Sequence, residues 1–182
     1  MRVRAVVFIL VSMSVASLGA QSAPRYEAAA AYQFMRDQDI AKNDPDLSAN
    51  FPAGWMASGG VTLRGSLGAV GEVSGSSKTL NIPGDKPKLR VYTFMAGPRF
   101  RRPAHPGINP FAQILFGSAR ASTSVLGNRE TVTDFSYQPG GGIDLNSARR
   151  FGVRLEGDYR IVRAGGHNSK EPRIVGAAVV GF

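Results

Sequence analysis

Residues 151–162 read FGVRLEGDYRIV. Phe151, Val153, Leu155, Tyr159 and Ile161 share one parity with Gly157, while Arg154, Glu156, Asp158 and Arg160 share the other. Successive side chains of a strand point to opposite faces, so the stretch reads as a strand with one apolar face and one fully charged face. Two environments accept such a strand. On a water-soluble sheet the apolar face lies on a core and the charges meet water. In a membrane-crossing barrel the apolar face meets lipid and the charges fill the inside. The rest of the chain discriminates between them.

The chain has 182 residues, no Cys, 22 Gly and a formal charge of +9. That length suits one domain with a real core. The absence of Cys excludes a disulfide framework and any thiolate metal or redox site. The basic residues are scattered, and the densest group, RFRRPAHP (99–106), is short and broken by prolines. No nucleic-acid partner is expected from so dispersed a charge. The first residues, MRVRAVVFILVSMSVASLGAQSAP, set Arg2 and Arg4 before an uncharged apolar run and then Gly19 and Ala20. This is the layout of a secretory signal peptide, with cleavage expected after Ala20, which assigns residues 1–20 to the signal and 25–182 to the mature domain. Later uncharged stretches such as 47–63 and 103–119 are rich in Gly and Pro and do not suit a spanning helix.

After residue 25, alternation recurs where helical periodicity does not. Candidate strands fall at 26–34, 54–64, 67–77, 89–100, 110–120, 132–145, 151–162 and 173–182. They are long beside ordinary strands of about 5–6 residues and suit the ~9–11 residues that a tilted membrane strand needs. The phase of 89–100 is ambiguous, because both parities carry apolar residues, and Pro139 suggests a bulge or irregular pairing. The connectors alternate as well. Polar loops are expected at 37–53, 79–88, 121–131 and 163–172, with tight turns at Gly65–Ser66 and 146–150. Short turns on one side and longer loops on the other are the habit of bacterial outer-membrane barrels. The fold expected is therefore all-β: an eight-stranded antiparallel up-and-down transmembrane β-barrel, preceded by a cleaved signal peptide.

A barrel of that size is just wide enough for side chains to fill. Parity sends Glu27, Arg64, Glu72, Asp134, Asp144, Arg154, Glu156, Asp158 and Arg160 inside. Buried charges need partners, and this set has three arginines for six acids, so it is unbalanced. Tyr26, Trp55, Tyr92, Phe100, Phe151 and Phe182 lie near strand ends, where interfacial aromatic belts are expected. The competing architecture is a secreted soluble lipocalin-like carrier, which would bury the apolar parity and expose the charged one.

From about residue 25 onward the chain resembles the small outer-membrane barrels of the OmpA/OmpX type, the outer membrane protein beta-barrel domain group. The resemblance is carried by GW (54–55), VYTFMAGPRFR (91–101), PFAQILFGSAR (110–120), GGGIDL (140–145), VRLEGDYR (153–160) and the terminal RIVGAAVVGF. It implies an outer-membrane location, contact with outer-membrane lipid and lipopolysaccharide, and recognition of Phe182 by the barrel-assembly machinery. It also implies a structural role or an extracellular ligand bound through the outer loops, with a narrow passive porin-like channel as the alternative. The peptidoglycan-binding domain of larger relatives is not expected here.

No cofactor or metal is expected. PGGGID (139–144) matches neither phosphate-loop pattern, and His105 and His167 have no ligand-spaced partner. The one catalytic arrangement worth stating is His167, Ser169 and Glu171, because some outer-membrane barrels are lipid A deacylases with a similar H-x-S pattern and a Glu further on. Glu171 lies only two residues after Ser169, unlike the separate acid of that family. An enzyme is therefore the last choice.

Overall fold

Eight strands follow one another: β1 (Tyr26–Arg36), β2 (Asn50–Arg64), β3 (Leu67–Thr79), β4 (Lys88–Arg101), β5 (Ile108–Val125), β6 (Asn128–Asn146), β7 (Phe151–Ala164) and β8 (His167–Gly181). The structure is a computed structural model that describes residues 25–36, 50–79, 88–102, 107–125, 128–146, 150–164 and 167–182. Residues 1–20, His105 and most of the connectors 37–53 and 79–88 lie outside the described residues. Every strand pairs antiparallel with its chain neighbours, and β8 pairs back on β1 to close the barrel. Closure matters physically: in hydrocarbon each backbone N–H and C=O must be paired within the protein, and an open sheet edge fails that test.

One end of the barrel holds Arg25 and Phe182, the first and last described residues, and the tight β2–β3 turn, in which Gly65 takes a positive φ of 56°. Backbone bonds tie this terminal end together. Tyr26 and Phe182 exchange N–H···O=C bonds, Gly181 N–H donates to Arg150 O, and Arg101 N–H donates to Ser66 O. The opposite, far end carries the C-terminal ends of β1, β3, β5 and β7 and the N-terminal ends of β2, β4, β6 and β8.

The expected loops at 121–131 and 163–172 are corrected by the structure. β5 and β6 run on to a Val125–Asn128 pair, and β7 and β8 to an Ala164–His167 pair. The polar sequence of these stretches marks strand leaving the apolar band for water, while the backbone stays in register. Pro139 brings no bulge. The β6–β7 ladder lacks partners at Gln138 and Pro139, yet Tyr137–Ile161 and Gly140–Asp158 keep one register. Proline cannot donate to the ladder, so it leaves a gap without a slip.

The outward parity is apolar. Leu155, Val153 and Ile174 are 50%, 51% and 68% exposed. Across the sheet Phe94, Phe116 and Phe135 are also exposed. The inward parity holds Arg154, Arg160 and Arg173, each no more than 1% exposed. The polarity is that of an object whose solvent on the outside is hydrocarbon. Ten consecutive strand residues at ~3.3 Å each, tilted by about 40°, give an apolar band roughly 25 Å tall, which matches a bilayer core. Inside, apolar residues gather in three clusters: Val70, Met95 and Leu115 on β3–β5, Met35, Phe51 and Val91 on β1, β2 and β4, and Ala29, Ala177 and Val179 on β1 and β8. The charged side chains between them come from β1, β3, β4, β6, β7 and β8.

Candidate functional site

The inside of the barrel is the most chemically dense part of the molecule. Its inner wall presents two ionic clusters, one above the other. In the cluster nearer the terminal end, Glu27 on β1 accepts from three arginines: Arg99 and Arg101 on β4 and Arg154 on β7. Arg154 also donates from Nε to Asp144 Oδ1 at 2.6 Å, and Arg101 Nη2 lies 2.9 Å from Asp144 Oδ2. Arg99 and Arg154 both stack on the ring of Phe111, at 4.7 and 4.8 Å. The Phe111 ring thus meets both guanidiniums that Glu27 Oε1 also holds.

Gln113 links the two clusters: it accepts from Arg99 Nε at 2.8 Å and donates to Glu156 Oε1 at 2.8 Å. The second cluster centres on Arg173 of β8. Its guanidinium grips Glu72 with two bonds of 2.7 and 3.0 Å, donates to Asp158 Oδ2 at 2.6 Å and reaches Gln33 Oε1 at 2.8 Å. Glu156 Oε1 lies 3.5 Å from the same group. Arg160 sits one layer beyond. It donates to Gln138 Oε1 at 2.9 Å and to Ser74 Oγ at 3.3 Å, and pairs with Glu171 at 3.5 Å. The planar fork of arginine matches carboxylates bidentately, so this residue type dominates the interior.

The structure places Glu27, Glu72, Asp144, Arg154, Glu156, Asp158 and Arg160 together in these clusters. It does not bring Arg64 or Asp134 there. Arg64 is exposed, because the β2–β3 register shifts between Thr62 and Arg64 and turns it out beside the tight turn. Asp134 is only half-buried, on the part of β6 beyond its last pair with β7, Phe135–Arg163. Parity reading missed Arg99, Arg101, Arg173 and Glu171. With them the interior holds five arginines and six acids in ion pairs. Half-buried Lys78, over the Phe51 ring at 5.5 Å, brings further positive charge.

Close approach explains one of the interior glycines. A Cβ built on Gly140 would strike the carboxylate of Asp158, which packs against that bare backbone while it serves Arg173. Gly140→Val is therefore expected to push Asp158 off Arg173 and to cost about 1–3 kcal/mol by overpacking, read as a lower urea midpoint in folded vesicles.

The aromatics fall at both ends. Tyr26, Phe100, Phe151 and Phe182 are exposed at the terminal end. Toward the far end Tyr32, Trp55, Gly75 and Tyr92 form one row across four strands. Trp55 is exposed and Tyr92 half-buried. The indole of Trp55 lies across Gly75, where a Cβ would come within 2.7 Å of Nε1. Of the catalytic arrangement, Glu171 is buried and faces Arg160, Ser169 is half-buried, and the His167 side chain lies outside the described residues. Among the described residues no group of acids or histidines is arranged to hold a metal ion.

No family model and no curated protein matches the chain in sequence. Solved structures do match its fold. Ail, the attachment invasion locus protein of Yersinia pestis, in complex with the heparin analogue sucrose octasulfate, aligns at TM-score 0.64 and 18% identity. That match covers 88% of this chain and 100% of Ail. Neisserial surface protein A aligns at TM-score 0.67 and 14% identity, covering 88% of this chain and 98% of its own. The outer membrane protein OprG of Pseudomonas aeruginosa aligns at 0.53 and 8% identity, covering 87% and 94%. The chain has the fold of the small eight-stranded outer-membrane barrels.

Proposed function

We propose that this chain is an outer-membrane protein that spans the bilayer as a filled barrel and binds polyanionic partners at its far, extracellular end. The observation that carries the membrane reading is the inverted polarity: Leu155 and Ile174 outside, Arg154 and Arg173 sealed inside. In this reading residues 1–20 direct export, Phe182 is the handle for the barrel-assembly machinery, and the exposed aromatics contact outer-membrane lipid and lipopolysaccharide. The terminal end then faces the periplasm, because an even strand count leaves the start of β1 and the end of β8 on one side.

The binding reading is supported by charge placement. Toward the far end Arg36, Arg90, Arg120, Arg163 and Lys170 are exposed. Among the described residues no exposed carboxylate accompanies them. A group of like charges steers and retains ligands of the opposite sign. The similar Ail structure holds a sulfated sugar, which fits the same chemistry. The double charge reversal Arg90→Glu/Arg120→Glu is expected to weaken binding of vesicle-embedded protein to heparin about tenfold and to flatten its salt dependence. Unchanged heparin binding would remove the far-end cations from the ligand site.

A passive channel is the second reading, and the interior argues against it, since two ionic clusters and the Met35, Phe51 and Val91 group occupy the lumen. Single-channel recording in planar bilayers should show no discrete steps. The deacylase reading loses its candidate acid, because Glu171 pairs with Arg160. The overall proposal is tested by cell fractionation with heat-modifiability on a gel. A compact, heat-modifiable band in the outer-membrane fraction supports it, and a soluble periplasmic protein overturns it.

A further inference from the structure

A cavity of about 200 Å³ opens at the terminal end, where β1, β2 and β3 meet β4 and β5. Its lining is divided. Arg25, Arg99 and Arg101 bring three positive charges against the single carboxylate of Glu27. Tyr26 and Leu67, both exposed on the lipid-facing parity, close its outer side. The backbone fixes these groups in place: Thr62 N–H donates to Arg25 O at 2.8 Å, and Arg101 N–H donates to Ser66 O at 2.8 Å.

Two features of this cavity are not used by the ion-pair network. Arg25 forms no ion pair among the described residues and only overhangs its neighbour Tyr26, at 5.9 Å from the ring. Arg101 spends Nη2 on Glu27 and Asp144, while its buried Nε has no acceptor among the described residues. A buried donor without an acceptor costs stability unless a ligand or solvent meets it. The local excess of positive charge asks for an anion, and the apolar outer side asks for a hydrocarbon attached to it.

We propose that this cavity is a binding site for an anionic phosphate ester, and that its occupant is the headgroup of a glycerophospholipid from the membrane leaflet around the terminal end. The phosphate lies between Arg25 and Arg101, and the acyl chains run down the wall past Tyr26 and Leu67. A free phosphate would use the arginines and leave the apolar side unexplained. This inference rests on the membrane reading above, but its test is made on purified protein, so a failed site and a failed location give different results.

The test is native mass spectrometry of the refolded full-length mature chain in micelles doped with equal amounts of phosphatidylglycerol and phosphatidylcholine. One phosphatidylglycerol should be retained in at least fivefold preference. Arg25→Gln should cut that preference about fivefold, the effect of one interfacial arginine. Arg25 lies outside the ionic clusters, so the variant keeps its heat-modifiable form. Equal retention of the two lipids, or an Arg25→Gln variant with unchanged preference, would overturn the site. Displacement of phosphatidylglycerol by an equal concentration of glycerol 3-phosphate would overturn the lipid assignment, because the acyl chains would then contribute nothing.

Discussion

Arg173→Ala is expected to destabilise the barrel by about 3–5 kcal/mol, the cost of leaving a buried charge cluster without its counter-ion. Among the described residues Arg173 is the one cation in direct contact with Glu72 and Asp158, and Glu156 lies 3.5 Å away. Its removal leaves three acids facing one another in a lumen where they are at most 6% exposed. Arg173→Lys keeps the charge but not the fork that grips Glu72 twice, so an intermediate loss is expected. Adding Glu72→Gln and Asp158→Asn to Arg173→Ala should recover much of the stability, since neutral partners no longer need a counter-ion. Urea unfolding of vesicle-inserted protein, followed by heat-modifiability, reads all three. If the single variant unfolds at the wild-type midpoint, the cluster does not hold the wall together.

Leu155→Arg is expected to cost about 2–4 kcal/mol in a bilayer, because it sets a charge on the lipid face near the middle of β7. The sign of this prediction separates the two barrels of the opening question. Leu155 is half exposed, so in a water-soluble barrel an arginine there would be nearly silent. Arg120→Leu, nearer the far rim, should change insertion little. The pair of measurements therefore reads the depth of the apolar band as well as its presence.

The parity of β7 was legible because every inward side chain from Arg154 to Arg160 is charged and none of the outward ones is. β4 was not legible in the same way. Its stretch LRVYTFMAGPRF places apolar side chains inside, at Val91 and Met95, and outside, at Phe94 and Phe100. Arg99 and Arg101 thus carried no phase of their own. β8 hides Arg173 for a related reason: Val175, Ala177 and Val179 follow it on the inner parity and look like any lipid-facing run. The sequence nevertheless held a signal of error in the interior set. Six acids set against three arginines cannot be sealed in a lumen, so the imbalance marked wrong assignments or acids near the rim. Arg64 erred in the other direction, since a local shift beside a two-residue turn inverts parity with no trace in composition. The far-end hairpins read as loops because polarity and strand are independent once a strand leaves the apolar band.

The inverted polarity of the wall is tested most directly by spin-label accessibility. The chain has no native cysteine, so single cysteines at Leu155, Ile174 and Arg120 can each be labelled in protein reconstituted into lipid vesicles. The account predicts that labels at 155 and 174 collide with oxygen dissolved in the bilayer and are shielded from a water-soluble nickel chelate, while the label at 120 meets the chelate more readily. Labels at 155 and 174 open to the chelate and shielded from oxygen would mean that the apolar face does not meet lipid.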